Sequence, residues 1–265
     1  MLALGFCHPP VVVRGRATEV EMSYYTFFKG ALFKPLIRVL VRPRVVGSER
    51  VPATGGALLA GNHISGWDTL VIPAMLPRTM TFPAKAELFV GRGPVSRVVA
   101  WFVRAVGILP MDRTGGRASA SSMDVVLDAL REGKVVGIFP EGTRSPDGRL
   151  YRGRTGVARL ALATGVPVIP VGVQHTRPPS LHRAVVRFGE PLDFSAYAGA
   201  GNDRDVLRHV TDQVMAAIQE LSGQRYVETY ANGVKAALRE GRTLDLVEVA
   251  RPGLGRTAPP LPGRP

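Results

Sequence analysis

From residue 57 onward, short apolar runs alternate with stretches in which apolar residues return every three or four positions. The runs "ALLAG" (57–61), "MTFPA" (80–84), "GILPM" (107–111), "VVGIF" (135–139), "VIPVGV" (168–173) and "AVVRFG" (184–189) read as strands, being short and bounded by turn-forming residues. Between them, residues 67–75, 95–105, 119–131 and 155–163 read as helices. The last of these, "TGVARLALA", is closed by Gly165 and Pro167, a helix-stop signal. Two further helical patterns cover 203–221 and 224–239. This rhythm predicts an α/β fold, with a single mixed β-sheet flanked by helices, and speaks against a bundle or a sandwich.

The two ends of the chain have a different character. Residues 22–44, "MSYYTFFKGALFKPLIRVLVRPR", are apolar and aromatic, with Lys34, Arg38 and Arg42 four apart on one face. That is the pattern of an amphipathic helix, divided by Pro35 into two pieces. Such a segment either caps a core or lies in a membrane interface with its basic face on lipid phosphates. The 21 residues before it, broken by "CHPP", carry no structural signal, and Met22 is expected to be the true start. The expected organisation is thus an unstructured stretch over 1–21, docking helices over 22–43 and one domain over 44–240. A disordered, basic, Pro/Gly-rich tail is expected over 241–265.

Charge narrows the partners only in part. Against 21 Asp and Glu stand 34 Lys and Arg, a formal charge of +13, which suits nucleic acid, a phosphorylated substrate or an anionic membrane. Arginine-rich, lysine-poor usage is also what genomic bias alone gives. The single cysteine, Cys7, allows no internal disulfide and no cysteine-based zinc site. No charge-free apolar run of about 18 residues predicts a transmembrane helix. The start has no basic region ahead of its apolar residues, so it makes a poor secretory signal.

Polar residues cluster just beyond the predicted strands. His63 follows "ALLAGN", Lys85 follows "MTFPA", Arg113 follows "GILPMD", and Glu141, Gly142, Thr143 and Arg144 follow "VVGIFP". In an α/β sheet the carboxyl ends of strands are where ligands bind, so these groups are placed to converge. On a regular helix residues five apart point about 140° apart, so His63 and Asp68 can meet only across a turn, with the helix starting near Gly66 or Trp67. Asp68 would then take the Nδ1 proton and leave Nε2 free as a base. The plainer alternative is an Asp favoured by the dipole of the first helical turn. In "FPEGTRS", Arg144 suits a phosphate through paired hydrogen bonds and backbone N–H groups near Gly142 add more. Arg113 and Lys85 would complete that cationic site. Glu141 repels phosphate and is expected to hold Arg144 or a substrate hydroxyl. Signatures of serine hydrolases, zinc peptidases, P-loops, dinucleotide folds and common nucleic-acid modules are missing from the chain.

"NHISGWD", "GILPMDR", "FPEGTRS" and "VPVIPVGV", in this order and spacing, resemble the four blocks of the glycerolipid (lysophospholipid) acyltransferases, over roughly residues 22–220. The chain looks like the bacterial 1-acyl-sn-glycerol-3-phosphate acyltransferases of that family. The resemblance implies that His63 is the general base and Asp68 its orienting partner. It implies that Lys85, Arg113 and Arg144 hold the acceptor's phosphate, with Glu141, Gly142 and Thr143 shaping the pocket. It further implies an O-acyl transfer to lysophosphatidic acid, giving phosphatidic acid, with acyl-CoA or acyl-carrier protein as co-substrate and no cofactor or metal. Its expected partners are the acyl thioester, the lysophospholipid and an anionic membrane surface, not nucleic acid. The expected location is the cytoplasmic face of the cell membrane, peripheral or monotopic. Two readings stand beside it: acylation of another lysolipid or polar lipid, and a lipid-binding scaffold of the same fold.

Overall fold

The structure, a computed structural model, describes residues 34–85, 93, 109–111, 117–177 and 180–262. The expected helix over 95–105 and the first piece of the amphipathic segment, 22–33, lie outside the described residues, as does the stretch 1–21.

A six-stranded mixed sheet forms the frame. Its strands are β1 (Arg44–Val46), β2 (Ala57–Gly61), β3 (Met80–Thr81), β6 (Val135–Ile138), β8 (Val168–Gln174) and β9 (Val185–Phe188), in the order β1-β9-β8-β2-β6-β3. Strands β8, β2, β6 and β3 run parallel, and β9 is antiparallel to β8. Helices α1 (Lys34–Val41), α2 (Asp68–Met75), α3 (Arg117–Arg131), α4 (Gly156–Thr164) and α5 (Arg204–Ser222) flank it. β2 shows why its sequence is apolar without alternation. Leu58 and Ala60 face a core shared with α3, α4 and α5, while Ala57 and Leu59 face a second core shared with α1 and α2. A central parallel strand is buried on both faces.

Two accessory sheets depart from the expected single sheet. The run 80–84 is not one strand. β3 joins the main sheet, Phe82 turns inward to 5% exposure, and β4 (Pro83–Lys85) pairs in parallel with β5 (Leu109–Met111). Pro83 has no N–H to continue a ladder, which accounts for the break. The pairing sets Lys85 opposite Met111. Residues 224–239 are not one helix either: β10 (Tyr226–Val227) precedes α6 (Ala231–Arg239). β10 lies parallel to β7 (Leu150–Tyr151) and antiparallel to β11 (Glu248–Val249). β11 belongs to the stretch expected to be a disordered tail. Beyond it, Arg256 bonds to Asp212 and Glu228, so this part of the tail is held by charge rather than free. α1 keeps Ile37 and Val41 buried and leaves Val39 77% exposed. Pro35 sits in its first turn, where a missing N–H costs nothing.

Candidate active site

Three parallel strands deliver the site to one edge of the sheet. β2 ends at Gly61 and is followed by Asn62–His63, β6 by Phe139–Glu141, and β8 by His175–Thr176. Asn62 extends the β2–β8 ladder with its side chain. Its Nδ2 donates to the Val173 carbonyl at 2.9 Å and its Oδ1 accepts the Val173 N–H at 2.7 Å. Nδ2 also donates to Gln224 Oε1 at 2.7 Å. The peptide carrying His63 is therefore fixed before the chain turns.

The turn Ser65–Gly66–Trp67 closes with the Asp68 N–H on the Ser65 carbonyl at 3.2 Å, and α2 begins at Asp68. The two geometries open to Asp68, first residue of the helix and hydrogen-bond partner of His63, are both present. Its carboxylate turns back to the imidazole. Asp68 Oδ2 accepts from His63 Nδ1, from Ile64 N and from Ser65 N, each at 2.8 Å. Oδ1 accepts from the hydroxyl of Thr176. Beside the three other donors, an ionised carboxylate can only accept from the ring, which assigns the ring proton to Nδ1 and the lone pair to Nε2. Asp68 is fully buried, whereas the His63 side chain keeps 15% exposure. The ring stacks on Phe139 with centroids 3.9 Å apart, and Phe139 stacks in turn on Phe82 at 5.3 Å.

Glu141 differs from expectation. It is 1% exposed, and its carboxylate accepts the His63 N–H at 3.1 Å and the Tyr151 N–H at 3.0 Å. It holds the two halves of the site together and forms no bond to Arg144. Burial, against the pull of those two amides, pushes its pKa up to about 8. A second tie runs from the Ser145 N–H to the His63 carbonyl at 2.7 Å. Gly142 has φ +74, and a Cβ there would come within 2.9 Å of Arg154 Nε, so only glycine suits the turn. Thr143 Oγ1 accepts a 2.8 Å hydrogen bond from Lys235 Nζ. Arg144 is exposed, with a guanidinium nitrogen 3.9 Å from where a Cβ on Gly66 would stand. It has no hydrogen bond or ion pair among the described residues.

The structure thus brings His63, Asp68, Glu141, Gly142, Thr143 and Arg144 together. For Lys85 it gives the backbone in β4, and Arg113 lies outside the described residues. Asn62, Thr176 and Lys235 escaped sequence reading. Asn62 adjoins a recognised residue, and Thr176 follows a predicted strand end. Lys235 carried no signal, because it lies inside the stretch 224–239 read as one helix.

The family model described as Acyltransferase matches residues 42–174, half of the chain. The chain belongs to the acyltransferase family. Relatives include the 1-acyl-sn-glycerol-3-phosphate acyltransferase of Bacillus subtilis, 30% identical over 76% of this chain and 98% of that protein. The enzyme of the same name from Borreliella burgdorferi is 31% identical over 50% of this chain, which spans about half, 51%, of that relative's length. Among solved structures, the 1-acyl-sn-glycerophosphate (LPA) acyltransferase PlsC from Thermotoga maritima matches with a TM-score of 0.59. That match covers 79% of this chain and 83% of that one at 22% identity, a likeness of fold.

Proposed function

We propose that this acyltransferase moves a fatty acyl group from an acyl thioester, acyl-CoA or acyl-carrier protein, to the free hydroxyl of 1-acyl-sn-glycerol-3-phosphate, giving phosphatidic acid at a membrane surface. His63 Nε2 takes the hydroxyl proton as the oxygen attacks the thioester carbonyl carbon. The carbonyl π electrons move to oxygen, and the imidazolium is stabilised by Asp68. Collapse of the tetrahedral oxyanion breaks the carbon–sulfur bond. The departing thiolate takes the proton from Nε2, which returns the ring to its starting form. Arg144, with Lys85 and Arg113 as the resemblance assigns them, holds the acceptor's phosphate. Glu141 shapes the pocket from behind by fixing the His63 peptide.

The observation that carries the reading is the His63–Asp68 pair, with Nδ1 engaged at 2.8 Å and the ring partly exposed at the strand edge. The names of the relatives support the acceptor. The membrane part is supported by α1, whose Arg38 and Val39 face outward beside the buried Ile37. No helix of the described residues is long and apolar enough to cross a membrane. The test is release of free thiol from acyl-CoA by the purified protein, with and without lysophosphatidic acid, beside His63→Ala. Acceptor-dependent release should fall by about 10²- to 10⁴-fold in the variant. Release that persists in His63→Ala would overturn the assignment of the base.

A further inference from the structure

α6 lies beyond the residues that the family model matches, which end at Gln174. It nevertheless reaches the loop of Glu141–Arg144. Tyr151, Val227, Ala231 and Val234 form a small buried cluster, which seats α6 against the strand that follows the loop. From this helix Lys235 Nζ donates its 2.8 Å bond to Thr143 Oγ1. One of three ammonium donors is thereby used, and two remain.

The surroundings of Lys235 are cationic. Burial first, then the charges of Arg144 and Arg239, lower its affinity for a proton, and Glu141 opposes them. Arg144, Arg154 and Arg239 form no ion pair among the described residues. Glu141 offers little relief, because with a pKa of about 8 it is mostly neutral near pH 7. Cations gathered with so little counter-charge repel one another, and a bound anion would remove that repulsion. Arg144 follows Thr143 directly in the chain, and its guanidinium lies beside Gly66 and so beside the His63 turn.

We propose that Lys235 and Arg144 together grip a phosphate monoester, so that α6 completes the anion site from outside the matched residues. Which substrate brings the phosphate rests on the acyl-transfer reading; whether phosphate binds does not. Lysophosphatidic acid and the 3′-phosphate of coenzyme A share this chemistry. The alternative is that the lysine–threonine bond merely fastens the helix to the loop.

Binding of sn-glycerol 3-phosphate, followed by ³¹P NMR, tests the grip without turnover. Wild type should bind it, K235Q about tenfold more weakly, and K235R close to wild type, since one charge-assisted bond to phosphate is lost and then restored. Equal binding by K235Q or no binding by wild type would each overturn the proposal. Kinetics then identify the source. A KM for lysophosphatidic acid raised about tenfold in K235Q, with kcat unchanged, places the acceptor's phosphate there. A raised KM for acyl-CoA alone, absent with an acyl-pantetheine donor, places the donor's. Unchanged KM values for both would overturn the grip. Wild-type protein that binds the probe yet shows no acceptor-dependent thiol release would count against the proposed function and leave this site standing.

Discussion

Asp68 uses both carboxylate oxygens, one on His63, Ile64 and Ser65 and the other on Thr176. The imidazole is held by a group that is itself held. Removing the Thr176 hydroxyl leaves Asp68 Oδ1 buried without its donor. A hydrogen bond to a charged group is worth about 1.5–3 kcal/mol, so Thr176→Val should cut kcat roughly tenfold or more with little change in KM. Thr176→Ser should keep most activity; a Thr176→Val enzyme with wild-type kcat would remove the hydroxyl from the site's support. The His–Asp half of this arrangement was legible, because both residues sit within one short block. The threonine was not, since 108 positions separate it from Asp68 and only the fold joins them. Glu141 was legible as a site residue but not in its task, because its partners are backbone N–H groups that no residue pattern encodes. Its pKa, pushed from 4.5 up to about 8 by burial, makes a second prediction. The native state binds a proton that the unfolded chain has released between those values. Glu141's contribution is therefore fullest below about 4.5 and lost as pH rises toward about 8. Glu141→Gln turns one acceptor into a donor facing an N–H, at a cost of about 1–3 kcal/mol. Melting curves should show the wild-type advantage over this variant shrinking as pH rises through that window. A gap independent of pH would contradict a neutral buried carboxyl.

At the level of elements, the strands that carry the site were readable and the small ones were not. β2, β6 and β8 are apolar runs closed by turn residues, so their ends could be placed and the polar residues beyond them collected. β7, β10 and β11 have two residues each, too few to show a period, and β10 was hidden inside an apparent helix. The break of 80–84 at Phe82 was also missed, yet it has a purpose. Phe82 turns in to stack on Phe139, which backs the His63 ring. β6 makes room for this at Gly137, where a Cβ would stand 2.0 Å from Met80 Cε and 2.4 Å from Phe82 Cε1. Gly137→Ala must therefore push the Phe82 ring, and the push passes through Phe139 to the imidazole. Overpacking of this kind costs about 1–3 kcal/mol. The variant should melt earlier and lose activity beyond what its folded fraction explains. Wild-type specific activity in the folded fraction would show that the ring stack does not position His63.

At the scale of the whole molecule, basic residues near the two ends of the chain stand in unlike settings. The C-terminal stretch looked free because its composition is that of a disordered segment. Arg256 nonetheless reaches Asp212 and Glu228, 44 and 28 residues back, and no local pattern reports such a pairing. The other region is α1. Ile37 and Val41 anchor the helix in the core, which leaves Arg38, Val39 and Leu40 outward, and Arg42 donates to the Leu181 carbonyl at 3.4 Å. Leu181 is itself 96% exposed, so basic and apolar groups share one side of the fold. A face of this kind binds an anionic bilayer by two separable forces. Each basic residue near the surface contributes about 1 kcal/mol, screened as salt shortens the Debye length to about 3 Å at 1 M. The apolar side chains contribute by burial, which salt does not screen. The protein should therefore float with vesicles containing phosphatidylglycerol, and less with neutral ones. High salt should weaken that binding without abolishing it. Val39→Asp with Leu40→Asp removes the unscreened part, so the variant's residual binding should vanish in high salt while its melting temperature stays near wild type. Flotation of the double variant equal to wild type at high salt would show that α1 does not insert.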